Sequence, residues 1–117
     1  MQNKWGQLTA IDLFECREDV LKDKKKLEEF CLELCGEIGM KPFGRPMVER
    51  FGDGELEGNS ALQFIETSSI SVHCDEVDKR VFVDIFSCKE FDAKKARKFV
   101  KKFFDGKRMK SRTMMRG

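Results

Sequence analysis

Apolar residues recur in this chain at two intervals, and the intervals divide it into strands and helices. In "QLTAIDLFE" (7–15), Thr9, Ile11 and Leu13 alternate with Leu8, Ala10 and Asp12, the period of two that a strand imposes. The period then lengthens. Leu27, Phe30, Cys31, Leu34, Cys35 and Ile38 form one stripe with lysines and glutamates between them, which predicts an amphipathic helix ending at Gly39. Both prolines and Gly44, Gly52, Gly54 and Gly58 follow, a loop around a short strand "MVERF". "ALQFIE", "SISVH" and "RVFVDIFSC" read as three further strands; in the last, Val81, Val83 and Ile85 alternate with Phe82, Asp84 and Phe86. Asp92 is placed to cap a second helix, "AKKARKFVKKFF", whose stripe is Ala96, Phe99, Val100 and Phe103. "RMKSRTMMRG" is a last strand or a frayed tail. This order predicts an α+β two-layer sandwich, an antiparallel sheet with helices packed on one face, as a single domain over residues 1–117.

Composition narrows the class. A chain of 117 residues is long enough for one core. Its aromatics are eleven Phe and one Trp with no Tyr, and Phe can only pack. Twenty-three basic against 21 acidic side chains leave a net charge of +2, which argues against nucleic acid as the main partner. The basic run from Lys94 to Arg116 has its aromatics at helical core spacing, so a solvated helix face is favoured over a polyanion platform. Cys16, Cys31, Cys35, Cys74 and Cys88 lack CxxC spacing. No secretory signal opens the chain, and no run approaches the roughly 18 apolar residues of a membrane span. Free thiols in a reducing cytoplasm are therefore expected.

Several chemistries are disfavoured. "GDGELEG" has the wrong spacing for a phosphate loop, and Asp53, Glu55 and Glu57 would repel a pyrophosphate. One histidine and scattered cysteines do not make a structural zinc site. "TSSIS" is not a nucleophile elbow. A constellation of Ser68, His73 and Cys88 remains. Ser68 lies at a strand junction with its hydroxyl free to reach the carbonyl of Thr67. His73 is five residues on, and Cys88 ends the next strand fifteen residues later. If the two strands form a hairpin through "CDEVDKR", a hydroxyl, a base and a thiol can share one site, subject to the register.

"TSSISVH" followed by "VDIFSC" resembles the bacterial and archaeal S-adenosylmethionine decarboxylases, in which a serine, a histidine and a cysteine recur at these intervals. "LTAIDLFE…DVLKD" also resembles the family's first strand and helix start. The resemblance implies a pyruvoyl-dependent enzyme of spermidine synthesis, made as a proenzyme that cuts itself. The cut would fall between Thr67 and Ser68, giving chains 1–67 and 68–117, with Ser68 converted to the pyruvoyl cofactor. His73 would accept the proton in processing, with Ser71 assisting by a hydrogen bond. The pyruvoyl ketone would condense with the substrate amine to a Schiff base, and Cys88 would protonate the carbanion left by CO₂. Phe51 resembles the family phenylalanine that stacks on adenine, and Glu66, Ser71 and Glu76 join it as substrate-binding candidates. A homodimer is implied, with active sites near the subunit interface.

The match departs where the family usually reads His-Thr-Trp-Pro-Glu, its glutamate holding the ribose hydroxyls. Here "HCDEV" puts Val77 in that place and Glu76 one residue early, and the loop from Phe51 to Ser68 is longer than usual. A one-residue offset along a strand turns a side chain to the opposite face. Two other readings therefore stand beside the first: a pyruvoyl-dependent decarboxylase of arginine or ornithine, and an uncleaved, non-catalytic paralogue that acts as a binding partner.

Overall fold

The computed structural model describes residues 4–117. The strands are β1 (Gly6–Phe14), β2 (Met47–Phe51), β3 (Gly58–Ile65), β4 (Ser68–Asp75), β5 (Arg80–Ser87) and β6 (Arg108–Arg116). The helices are α1 (Glu18–Leu21), α2 (Lys24–Glu37) and α3 (Ala93–Phe104). All six strands join one sheet in the order β2-β3-β4-β5-β1-β6, with every neighbouring pair antiparallel. The final basic stretch is thus a strand and not a tail. β1, although first in sequence, lies between β5 and β6, the last two strands.

Alternation gives the sheet two different faces. Ile11, Leu13, Ala61, Ile65, Ile70, Val72, Val81, Val83 and Ile85 are buried on the face covered by the helices. α2 supplies Leu27, Phe30, Cys31, Leu34 and Cys35 to that core, and α3 supplies Ala96, Val100 and Phe104. Phe30 is its hub, with ring centroids 5.7, 5.1 and 4.8 Å from Phe99, Phe103 and Phe104. Asp23 and Asp92 cap α2 and α3, each side chain accepting from two backbone N–H groups of the first turn. Gly39 follows α2 at φ 69°, the left-handed stop that its position predicts.

The opposite face carries no helix. Met47, Phe51 and Phe64 are exposed there, Met114 stands on it opposite Leu8, and Trp5 stacks on Phe86 at 5.6 Å. The loop after β2 holds a short 3-10 turn (Gly54–Leu56). Gly52, at φ 100°, is forced by that turn, because a Cβ there would run into the Leu56 backbone.

Candidate active site

The connection from β3 to β4 has two residues, Glu66 and Thr67, since Ile65 pairs with Ser68. Such short hairpins usually hold a positive φ inside the turn. Here neither turn residue has one, and Ser68 carries φ 153° instead. The other non-glycine residues with positive φ (Glu15, Lys79 and Asp105) sit at 50–57°, in the left-handed helical region. Ser68 is outside it, where a Cβ is crowded and the cost is on the order of 1–3 kcal/mol. Strain is thus concentrated at the second residue of the Thr67–Ser68 bond.

Register ties this bond to Cys88. Ser68 pairs with Ser87, and one step further the backbone N–H of Cys88 donates to the Thr67 carbonyl at 2.9 Å. The Thr67 side chain is held too: its Oγ1 lies 2.7 Å from the buried Ser87 hydroxyl, which accepts from the Lys89 N–H at 3.0 Å. The Thr67 carbonyl therefore has a preorganised donor, the arrangement that stabilises charge developing on an attacked carbonyl oxygen. Cys88 itself is exposed, whereas Cys16, Cys31 and Cys35 are buried. Desolvation pushes the Cys31 and Cys74 thiols up to about 12.

His73 is elsewhere. It stands five residues along β4 from Ser68, about 17 Å at strand rise. Its register partners are Ser60 on β3 and Phe82 on β5. The Ser60 hydroxyl lies 3.0 Å from His73 Nδ1. Ser60 does not stand out in the sequence. The pairing depends on the turn falling at 66–67, one residue before the break that the strand patterns suggest. Within one copy of the chain, then, Thr67, Ser68 and Cys88 come together, and His73 joins Ser60 instead.

The remaining candidates divide in the same way. Phe51, Ser60, Ser71 and His73 line a shallow pocket of about 290 Å³ on the helix-free face, together with Met47, Glu49, Ala61 and Leu62. Ser71 pairs with Asp84, whose carboxyl is raised by desolvation, against a lowering influence of His73. Glu66 is exposed, with Lys41 at 3.7 Å. Glu76 faces away from this pocket. It is buried, and its two oxygens accept from Arg50 at 2.5 and 2.9 Å, hydrogen bonds that hold its carboxyl below the usual range. Arg50 also reaches Glu57 at 2.8 Å. No bulge returns Glu76 to the His73 side, and Val77 is exposed.

Comparison with known proteins agrees with this architecture. The S-adenosylmethionine decarboxylase family model matches residues 7–117. The S-adenosylmethionine decarboxylase proenzyme of Clostridium botulinum strain Langeland is 26% identical over 113 residues, covering 96% of this chain and 94% of its own. Its counterpart from strain Hall has the same identity and coverage. The crystal structure of the adenosylmethionine decarboxylase from Aquifex aeolicus VF5 superposes with a TM-score of 0.83 at 18% identity, over 99% of this chain and 93% of that one. No described helix is long and apolar enough to cross a membrane.

Proposed function

The chain belongs to the S-adenosylmethionine decarboxylase family, and on that premise we propose that it cuts itself between Thr67 and Ser68 and then decarboxylates S-adenosylmethionine, giving the aminopropyl donor for spermidine synthesis. The observation that carries this reading is the hydrogen bond from Cys88 N–H to the Thr67 carbonyl beside the strained Ser68. Ser68 Oγ attacks that carbonyl carbon, and the charge that gathers on its oxygen meets the Cys88 amide. Expulsion of the Ser68 nitrogen, which takes up a proton, converts the peptide bond to an ester. Removal of the Ser68 α-proton then expels the Thr67 carboxylate. The dehydroalanine left at 68 takes up water and releases ammonia, leaving a pyruvoyl group at the head of chain 68–117.

The residues around the turn suit that group, since the Cys88 amide already holds the oxygen of the bond that must open. Once formed, the ketone supplies an acceptor for the electrons left when CO₂ departs. Cys88 is bonded through its amide to Thr67, next to the residue that becomes the ketone, and its side chain is exposed, which supports its thiol as the donor to the former α-carbon.

His73 is too far from Ser68 in its own chain to take a proton from it. The helix-free sheet face, with Met47, Phe51, Phe64 and Met114 exposed, supports a homodimer in which two such faces meet. For His73 to serve the cut, such a dimer would have to bring His73 and Ser60 of one copy to the Thr67–Ser68 bond of the other, and the reverse. To serve as the base, His73 would donate Nδ1–H to Ser60 Oγ, 3.0 Å away, and keep its lone pair on Nε2.

One observation favours a different substrate: Glu76 is engaged by Arg50 and Val77 is apolar, so neither is free for a ribose. Arginine or ornithine is the second reading. Intact mass spectrometry and CO₂ release test the set. Two chains meeting at 67/68, with a ketone on the second and CO₂ from S-adenosylmethionine, support the proposal. CO₂ from a basic amino acid alone moves the substrate, and a chain that stays whole after prolonged incubation overturns the enzyme in favour of a binding partner.

A further inference from the structure

With Glu76 committed to an ion pair, a nucleoside substrate needs another carboxylate, and the structure assigns that role to Glu49. This inference rests on the proposed use of S-adenosylmethionine and names the residue that would recognise its sugar. Vicinal sugar hydroxyls are commonly held by an Asp or Glu, whose paired oxygens accept from both O–H groups.

Three observations single out Glu49. First, it is the acidic residue of the pocket that holds Phe51, Ser60, Ser71 and His73, whose remaining wall (Met47, Ala61 and Leu62) is apolar. An apolar floor with a few converging polar groups is the usual form of a small-molecule site. Second, register sets Glu49 directly opposite Ser60, which is itself opposite His73, so the three lie in one row across β2, β3 and β4. Directly opposed residues have Cβ atoms roughly 5 Å apart. Phe51 is two positions along β2 on the same face, about 7 Å away, a separation that suits a base stacked on its ring and a sugar beside Glu49. Third, Glu49 is exposed and makes no ion pair or side-chain hydrogen bond among the described residues. The other acids near His73 are less suited. Asp75 and Asp78 are both paired with Arg80; Asp84, opposite Ser71 on β5, does not line this pocket; and Glu55 lines a second pocket that shares His73 but not Phe51.

The test compares 5′-methylthioadenosine with its 2′,3′-dideoxy form by calorimetry, on the protein as purified and on two variants. The wild type is expected to prefer the hydroxylated ligand by about 10-fold or more, the range of charged hydrogen bonds. Glu49→Gln should bind both ligands at the dideoxy level, and its KM for S-adenosylmethionine should rise about 10- to 100-fold with kcat nearly unchanged. Glu55→Gln should behave as wild type. A preference that survives Glu49→Gln, or disappears in Glu55→Gln, overturns the assignment. So does a wild type that releases CO₂ from S-adenosylmethionine yet binds both ligands equally, and in that case the substrate reading survives. A wild type that binds neither ligand and releases no CO₂ overturns both.

Discussion

The Ser60 hydroxyl and His73 Nδ1 lie 3.0 Å apart on strands whose register sets the two residues face to face. That contact orients the only histidine of the chain, and Nε2 is free to act as a base when Nδ1–H is the donor to Ser60.

Ser60→Ala and His73→Gln should each slow self-cleavage, His73→Gln by about 10²–10⁴-fold, the usual range for a positioned base. Their effects should fall short of additive, because both act through one imidazole. Time-resolved denaturing gels read this directly; strictly additive effects would mean that the two residues act separately.

Complementation tests the shared site. Ser68→Ala and His73→Gln chains should each stay largely whole alone. Refolded together, the mixed dimers should cut the His73→Gln chain, because it keeps its own Ser68 and meets an intact His73 from the other copy. Failure of any mixture to cut would rule out an exchange of residues between copies.

Cys88 contributes to the two stages through different atoms. Cleavage uses its backbone N–H, so Cys88→Ala should still be cut at a rate within about 10-fold of wild type. Cys88→Pro lacks the donor and should not be cut. Decarboxylation uses the thiol, and Cys88→Ala should lose about 10²–10⁴-fold in kcat. Loss of cleavage in the alanine variant would place the thiol in processing as well.

Thiol labelling separates Cys88 from the rest. At pH 8 a thiol raised to about 12, as Cys31 and Cys74 are, is ionised to about 1 part in 10⁴. Iodoacetamide should label the folded protein at one fast site, found at Cys88 by peptide mapping and absent from Cys88→Ser. Rapid labelling at Cys31 or Cys74 would contradict the packing described.

The Arg50–Glu76 pair predicts an acid limb in stability. The Glu76 carboxyl is lowered in the folded chain by its hydrogen bonds from Arg50, so its contribution is complete above the ordinary carboxylate range. It is lost as pH falls through the folded value. Glu76→Gln should flatten the fall of Tm between about pH 5 and pH 3, and an unchanged slope would show that the pair contributes little.

The sheet was largely readable because its two periods are clean: Val81, Val83 and Ile85 alternate without interruption, and Leu27 to Ile38 keep one stripe. A strand break was readable at Thr67 and Ser68, but the turn lies one residue earlier, at Glu66 and Thr67, and that shift alone moves the residue opposite His73 along β3. Ser60 was therefore hidden, being one serine of a polar stretch thirteen residues from its partner. Glu76 was hidden for another reason. Its partner Arg50 is 26 positions away on an edge strand, and sequence spacing does not reveal which carboxylate a distant guanidinium takes.

The position of β1 has a consequence for the cut protein. A break at 67/68 leaves β1, β2 and β3 on one chain and β4, β5 and β6 on the other, with β1 still wedged between β5 and β6. The two pieces are interlocked like the fingers of clasped hands, and neither can leave without unzipping ladders on both sides of β1. Before the cut, folding is an event of one molecule. Afterwards a denatured protein must reassemble from two partners, so its recovery should depend on dilution, and the cell would have one opportunity to fold each copy cheaply.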